Sequence, residues 1–395
     1  MKLGSRLTRF VTALCLMATC GVCFSEDRPV TGETSKQVGQ ILARVSAHDF
    51  HPIRDGFTFD RQLDKHGVAN LADQDWRVRT LAVRDLVRLG APGTPALVTA
   101  LEDKIAHVRH VAAMVFGIIR ATNAVAALET TLSKDSDSVV RSQAAIALGQ
   151  IGQRSSLAAV QAAQKNDKSK DVQHQAELAA YAIEHGKTAT PELAKSYAAL
   201  DESTFGRVQV GKTASDFQLA DTEGKAWRLS DFRGKKPVVL IWVFADWCPV
   251  CHGEFRELIE LRQQFEAANA QVFTLECHDV FPCRVMVGKE LEPKYWFSKT
   301  SFKDSYTKNI WWPHLVDRAG AVGAEYGVQP LAFTVHAEWI NRPSAVIVDK
   351  EGVARFAYYG TFWGDRPSIH QLLEMVRSGN YSFDAPKRLK AASTP

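Results

Sequence analysis

Cys248-Pro249-Val250-Cys251 sets two thiols three residues apart, directly after the apolar run 238–244. Helical spacing follows in Phe255, Leu258, Ile259, Leu261 and Phe265. A buried strand feeding a helix therefore puts Cys248 at the helix entrance and Cys251 in its first turn. Free N–H groups and the helix dipole at that end favour a thiolate, so Cys248 is expected to have a lowered pKa. Cys251 lies on the same face and can close a disulfide. Pro249 suits the first helical position, where a missing N–H costs nothing. Dithiol–disulfide exchange is the chemistry this arrangement offers. Three other readings stay open: covalent haem through Cys248 to His252, a zinc site using Cys248, Cys251, Cys277 and Cys283, and an inert structural disulfide. Haem attachment needs a loop-to-helix setting and an axial partner, whereas this motif follows a strand.

Further candidates lie downstream. Cys277-His278-Asp279-Val280-Phe281-Pro282-Cys283 supplies two more thiols, either a local disulfide tying down an insertion or a relay. Tyr295, Trp296, Phe297, Phe302, Tyr306, Trp311 and Trp312, with Trp339 and Trp363 later, read as the core of an added subdomain or as a groove wall. His336 and Glu338 are read as structural.

The elements needed to position the thiols alternate. Residues 217–220 and 227–229 flank Asp221-Thr222-Glu223-Gly224, a hairpin signal. Strands are expected at 238–244, 271–277, 344–348 and 353–359, with a closing helix over 367–377. Before them the chain repeats. Val78, Val108, Val140 and Val172 recur at steps of about 30–32 residues. Ala82, Ala112, Ala144 and Ala176 follow four positions on, then Leu86, Phe116, Leu148 and Ala180. Apolar residues at those offsets share one helix face, and the small Ala lets a second helix approach. Each unit must stack on its neighbours. The Arg column (Arg79, Arg109, Arg141) is expected to brace adjacent units.

Residues 73–186 resemble the short HEAT-like repeats, with Gln173 departing from the Arg column in a terminal unit. The blocks Val210-Gly211, Asp216-Phe217, Gly234-Lys235, 238–251, Asp317-Arg318-Ala319-Gly320, Tyr326-Gly327-Val328 and 342–352 resemble the redoxin group, which includes the alkyl hydroperoxide reductase/thiol-specific antioxidant proteins and exported thioredoxin-like reductases. That resemblance implies a thioredoxin-type fold over 207–381. Trp247, Cys251 and Pro343 match the thioredoxin-type pattern, which implies a cis Arg342–Pro343 bond and a docking surface formed by Trp247 and Pro343. Ala245 stands where peroxide-reacting members have Thr, and Arg342 is one residue off their Arg. The buried Asp that thioredoxins place six residues before the first Cys is Trp242 here; Glu254 is the acid that could replace it.

The 395 residues are 46% hydrophobic and 23% charged with a net charge of +4, an ordinary globular composition with no basic patch for nucleic acid. Residues 1–25 read as a secretion signal: Lys2, Arg6 and Arg9, an apolar run over 10–24, then Ser25. A lipoprotein cut at Cys20 is disfavoured by Met17-Ala18-Thr19. The expected product is an exported, periplasmic, bacterial-type protein without a stable membrane span. Its order is signal 1–25, lead-in 26–72, an all-α HEAT-like solenoid over 73–186, linker 187–206, an α/β thioredoxin-like domain over 207–381 and tail 382–395. The expected activity is thiol–disulfide exchange through Cys248 and Cys251, with thiol peroxidase chemistry at Cys248 or a scaffold with a vestigial redox domain as alternatives. No cofactor or metal is expected. The partners are a protein or small-molecule disulfide substrate, a redox partner, and a protein docked on the repeats.

Overall fold

The computed structural model describes residues 32–47, 76–296, 309–330, 333–336, 338–360 and 366–384. The expected secretion signal with Cys20, most of the expected lead-in, and Phe297, Phe302, Tyr306 and Trp363 lie outside the described residues. Among the described residues no helix is long and apolar enough to cross a membrane.

The amino-terminal half is helical. α1 (Gly32–Ser46) packs beside α2 (Trp76–Leu89) and α3 (Thr94–Ala100), and two hairpin-like units and a further helix continue the array. They are α4 (Ala106–Ile118) with α5 (Val125–Lys134), α6 (Ser138–Ile151) with α7 (Leu157–Asn166), and α8 (Lys170–His185). The periodic residues behave as expected: Ala112, Phe116, Ala144, Leu148 and Ala176 are fully buried in one continuous core. Close approach is enforced by glycine. A Cβ on Gly149 would stand 2.8 Å from the Ala179 backbone, so α6 and α8 touch there at van der Waals limits.

The Arg column braces the array as expected in two of three places. Arg109 forks onto Asp135 at 2.7 and 2.8 Å, and Arg141 onto Asp167 at 2.8 and 2.8 Å. Both also hold a carbonyl of the preceding turn, Asp103 and Asp135 respectively. Arg79 departs. Its guanidinium lies 3.2 Å from the centre of the Trp339 ring in the other half of the molecule.

α9 (Pro191–Ala199) bridges to the second half and packs on α2. The expected hairpin forms as β1 (Gln218–Ala220) and β2 (Ala226–Arg228). A five-stranded sheet follows in the order β5-β4-β3-β8-β9. β3 (Val238–Trp242), β4 (Gln271–Glu276) and β5 (His314–Val316) are parallel; β8 (Ser344–Val348) and β9 (Ala354–Tyr359) run antiparallel to β3 and β8. β3 and β8 are buried on both faces, which is why both read as unbroken apolar runs. α10 (Pro249–Glu260), α11 (Arg262–Ala267) and α14 (Ile369–Ser378) cover one face. The sequence reading left out β5, the α12 helix (Val280–Met286), the α13 helix (Ala321–Glu325) and the hairpin of β6 (Phe333–Val335) with β7 (Glu338–Ile340).

The two halves share a core. Cys277, Ala319 and Trp339 belong to the same buried cluster as the helical repeats. Trp339 Nε1 donates to His110 Nε2, and Trp296 stacks on His174 with centroids 3.7 Å apart. His336 Nδ1 meets Asp171 Oδ1 at 2.9 Å. The repeats therefore hold the carboxy-terminal half itself, ahead of any external partner.

Arg141→Ala strands the mostly buried Asp167 carboxylate. We expect a loss of about 3 kcal/mol in unfolding free energy, read as a lower denaturant midpoint at constant slope. An unchanged midpoint would remove the bracing role.

Candidate active site

Cys248 is the N-cap of α10, and its Sγ accepts from the Cys251 N–H at 3.4 Å. β3 ends at Trp242, and residues 243–247 carry the chain over the sheet edge to the helix entrance, as the spacing implies. Both sulfurs are buried, and both are free thiols.

Their electrostatics invert the expected order. Burial pushes the Cys248 thiol up, and its S–H interaction with Cys251 raises it further. Burial also opposes the Cys251 thiolate, but the Cys248 S–H, the Arg366 guanidinium and the Phe244 N–H outweigh it, bringing Cys251 down to about 6. The Phe244 N–H and Arg366 Nη2 each stand 3.3 Å from the Cys251 sulfur. One helix-end N–H at 3.4 Å does less for Cys248 than a buried cation does for Cys251. The pair shares its remaining proton, with the negative charge on Cys251.

Arg366 escaped the sequence reading. It precedes α14, lies 115 positions from Cys251, and donates to the Trp242 carbonyl at 3.0 Å. Glu254 stands 2.7 Å from its Nη2 as an ion pair. Burial still raises Glu254 to about 8, against the pull of Arg366. Glu254 is thus no plain surface glutamate; it is a buried acid one guanidinium away from Cys251.

Trp247 is buried and donates from Nε1 to Glu338 Oε2 at 2.8 Å. Its ring is edge-on to Phe244, Trp296 and His336. Glu338 and His336 are therefore neighbours of the thiol motif, and His336 links it to Asp171 of the repeats. Pro343 sits beside it in the sheet: Ser344 pairs with Trp242, so Pro343 precedes β8 at the end where β3 releases the chain. The expected cis Arg342–Pro343 bond is absent, since no described peptide bond is cis. The Arg342 N–H donates to Gln329 O at 3.1 Å and Pro343 O accepts from Gly360 N–H at 2.8 Å, anchoring a trans linkage, the ordinarily preferred isomer.

Cys277 and Cys283 are not joined. Cys277 directly follows β4 and faces the repeats, where it lines a cavity of about 120 Å³ between the halves with Ile118, Leu178, Tyr197, Asp246 and Trp339. Cys283 projects from α12 elsewhere, toward Glu276 and His314. Of the insertion aromatics, Trp311 and Trp312 pack on the α10 side of the sheet, and Trp296 meets the repeats.

Comparison with known proteins agrees with this architecture. The AhpC/TSA family pattern matches residues 210–357, and HEAT repeats match 67–149 and 108–182. "Thiol-disulfide oxidoreductase ResA" of Geobacillus thermodenitrificans is 30% identical over 170 residues, 43% of this chain and 79% of that protein. "Alkyl hydroperoxide reductase E" of Mycobacterium tuberculosis is 29% identical over 150 residues, 38% of this chain and 84% of that protein. "Thiol:disulfide interchange protein DsbE" of Vibrio cholerae is 27% identical over 185 residues, 46% of this chain and 82% of that protein.

If Arg366 places the charge, replacing it should remove the acidic ionisation. In Arg366→Met/Glu254→Gln, which strands no buried charge, the first thiol ionisation should rise from about 6 to beyond the ordinary cysteine value of about 8.5. Thiolate absorbance against pH measures it; an unmoved transition would assign the charge to the helix terminus instead.

Proposed function

Since the chain belongs to the AhpC/TSA family, we propose that it is a thiol–disulfide oxidoreductase working through Cys248 and Cys251. The observation that carries this reading is the dithiol at a strand-to-helix junction with a buried cation on the second sulfur. In the reducing direction, Cys248 sulfur attacks a substrate disulfide as its proton passes to Cys251. The substrate S–S bond breaks, a Cys248–substrate disulfide forms, and one substrate thiolate leaves and takes up a proton. Cys251 then loses its proton and attacks Cys248 sulfur. The mixed disulfide breaks, the second substrate thiol departs, and Cys248–Cys251 carries the two electrons' worth of oxidation. The reverse sequence oxidises a dithiol. Arg366 stabilises the Cys251 thiolate at both stages, and Glu254, its ion-pair partner, is the buried acid that exchanges the proton.

Hydroperoxide reduction at Cys248 is the second reading, supported by the hydroperoxide reductase relative. Against it, the guanidinium rests on Cys251, while Ala245 replaces the Thr of the peroxide-reacting pattern. Trp247, held by Glu338, and Pro343 flank the thiol motif and would present the substrate. We also infer export, from Lys2, Arg6 and Arg9 ahead of an uncharged apolar run. On the repeats, faces left clear of the redox half would dock a protein partner.

Both sulfurs are covered, so a disulfide substrate must displace part of their surroundings to reach them. Cys251→Ser should therefore accumulate a stable Cys248-linked mixed disulfide with a disulfide substrate such as oxidised glutathione, seen by mass spectrometry, while Cys248→Ser accumulates none at residue 248 and loses turnover. Rapid consumption of stoichiometric peroxide by Cys251→Ser, without a mixed disulfide under either condition, would favour the peroxidase reading.

A further inference from the structure

The exchange reaction leaves one set of buried donors unused. Glu276 ends β4, His314 opens the neighbouring β5, and Cys283 projects from α12. All three side chains are buried, at 1%, 2% and 0% exposure. A carboxylate oxygen, an imidazole nitrogen and a thiol sulfur lie within 4.8 Å of one another. His314 Nε2 and Glu276 Oε2 are 3.1 Å apart.

Each donor is aimed by a neighbour outside that triangle. His314 Nδ1 meets Thr274 Oγ1 at 2.7 Å, which orients the ring with Nε2 inward. Thr274 Oγ1 also accepts from Trp312 Nε1 at 3.0 Å, and a hydroxyl has lone pairs for both. Glu276 Oε1 meets His278 Nδ1 at 2.8 Å, leaving Oε2 to face the triangle. Cys283 Sγ has a long 3.8 Å contact with the His278 carbonyl. Oriented imidazole and carboxylate donors with outer hydrogen bonds are the supporting arrangement metal ligands require.

We propose that Glu276, Cys283 and His314 form a binding site for a zinc-class divalent cation, with the fourth position left to water. Zinc–ligand bonds of about 2.0–2.3 Å put tetrahedral ligands roughly 3.3–3.8 Å apart, within small adjustments of the present triangle. A mixed sulfur, nitrogen and oxygen set suits zinc and does not suit magnesium or calcium, which take oxygen. The charges also balance. A divalent cation with one thiolate and one carboxylate is neutral as a set, and His278 beside Glu276 is shared with the Glu338 carboxyl. Binding displaces the Cys283 proton to solvent and requires the His314 tautomer in which Nδ1–H donates to Thr274 Oγ1. The site is separate from the dithiol and does not rest on the exchange reading. A contact chain joins the two places: Glu276 to His278, His278 Nε2 to Glu338 Oε1 at 3.4 Å, and Glu338 to Trp247.

The test is metal analysis of the purified full chain, with cobalt(II) titration of the chelator-treated protein to read a thiolate-to-cobalt charge-transfer band. Cys283→Ser, His314→Gln and the double variant Cys248→Ser/Cys251→Ser are compared. The expected result is about one zinc per chain and a cobalt band that survives in the double variant but vanishes in Cys283→Ser. His314→Gln should weaken zinc binding about tenfold or more. Circular dichroism identifies variants that fold. In the wild type itself, zinc should protect Cys283 from alkylation in the folded chelator-treated protein, a readout that needs no substitution. The proposal is overturned if folded wild type takes up no zinc at roughly micromolar concentration. It is equally overturned if zinc leaves Cys283 unprotected, or if the metal disappears with Cys248 and Cys251 and persists in Cys283→Ser.

Discussion

A buried guanidinium organises the redox half. Arg366 holds the carbonyl at the end of β3, pairs with Glu254 on α10 and rests on the Cys251 sulfur. A cation taken out of water is tolerated only when its charge is matched. Here the Cys251 thiolate supplies the matching charge, and the Glu254 carboxyl, which burial raises to about 8, adds a close contact from α10. The helix terminus contributes its N–H to Cys248 but does not decide the ionisation.

The repeats and the redox half are physically continuous around this centre. Trp247 is edge-on to Trp296 and His336, Trp296 stacks on His174, and His336 meets Asp171. Trp339 lies between the Arg79 guanidinium and His110. Aromatic rings with one polar edge suit such a seam, because each buries a large area while its N–H keeps a partner. The solenoid thus packs directly against the residues next to the thiol motif.

Local patterns were legible in the sequence. The run 238–244, the 221–224 turn, the Val/Ala/Leu offsets and the cysteine spacing each reflect interactions within a few residues, and the elements formed within a residue or two of expectation. The Arg column was readable because each Arg follows a repeated Val, whereas its acid partners Asp135 and Asp167 emerge only in the fold. What failed was long-range. Arg366 is an ordinary Arg-Pro-Ser triplet until the fold brings it 115 positions back to Cys251. Glu338 was set aside as structural because nothing near it signals Trp247, 91 positions away. Arg79 looked like a third brace, yet position 105, where the repeat offset would place its acid, is Ile105, so the guanidinium turns to Trp339. The trans Arg342–Pro343 bond shows the limit of carrying a family feature onto a chain in which the β6–β7 hairpin leads into that Pro.

The most direct test of the exchange account is an equilibrium redox titration of the purified chain, with free thiols trapped by alkylation and located by mass spectrometry. The account predicts one reversible two-electron couple confined to Cys248 and Cys251, with Cys277 and Cys283 remaining as thiols throughout. Its potential, set against about −270 mV for thioredoxin and about −120 mV for a strong oxidant, gives the direction of electron flow. Absence of that couple, or a couple that pairs Cys248 with Cys277 or Cys283 instead, would contradict the account.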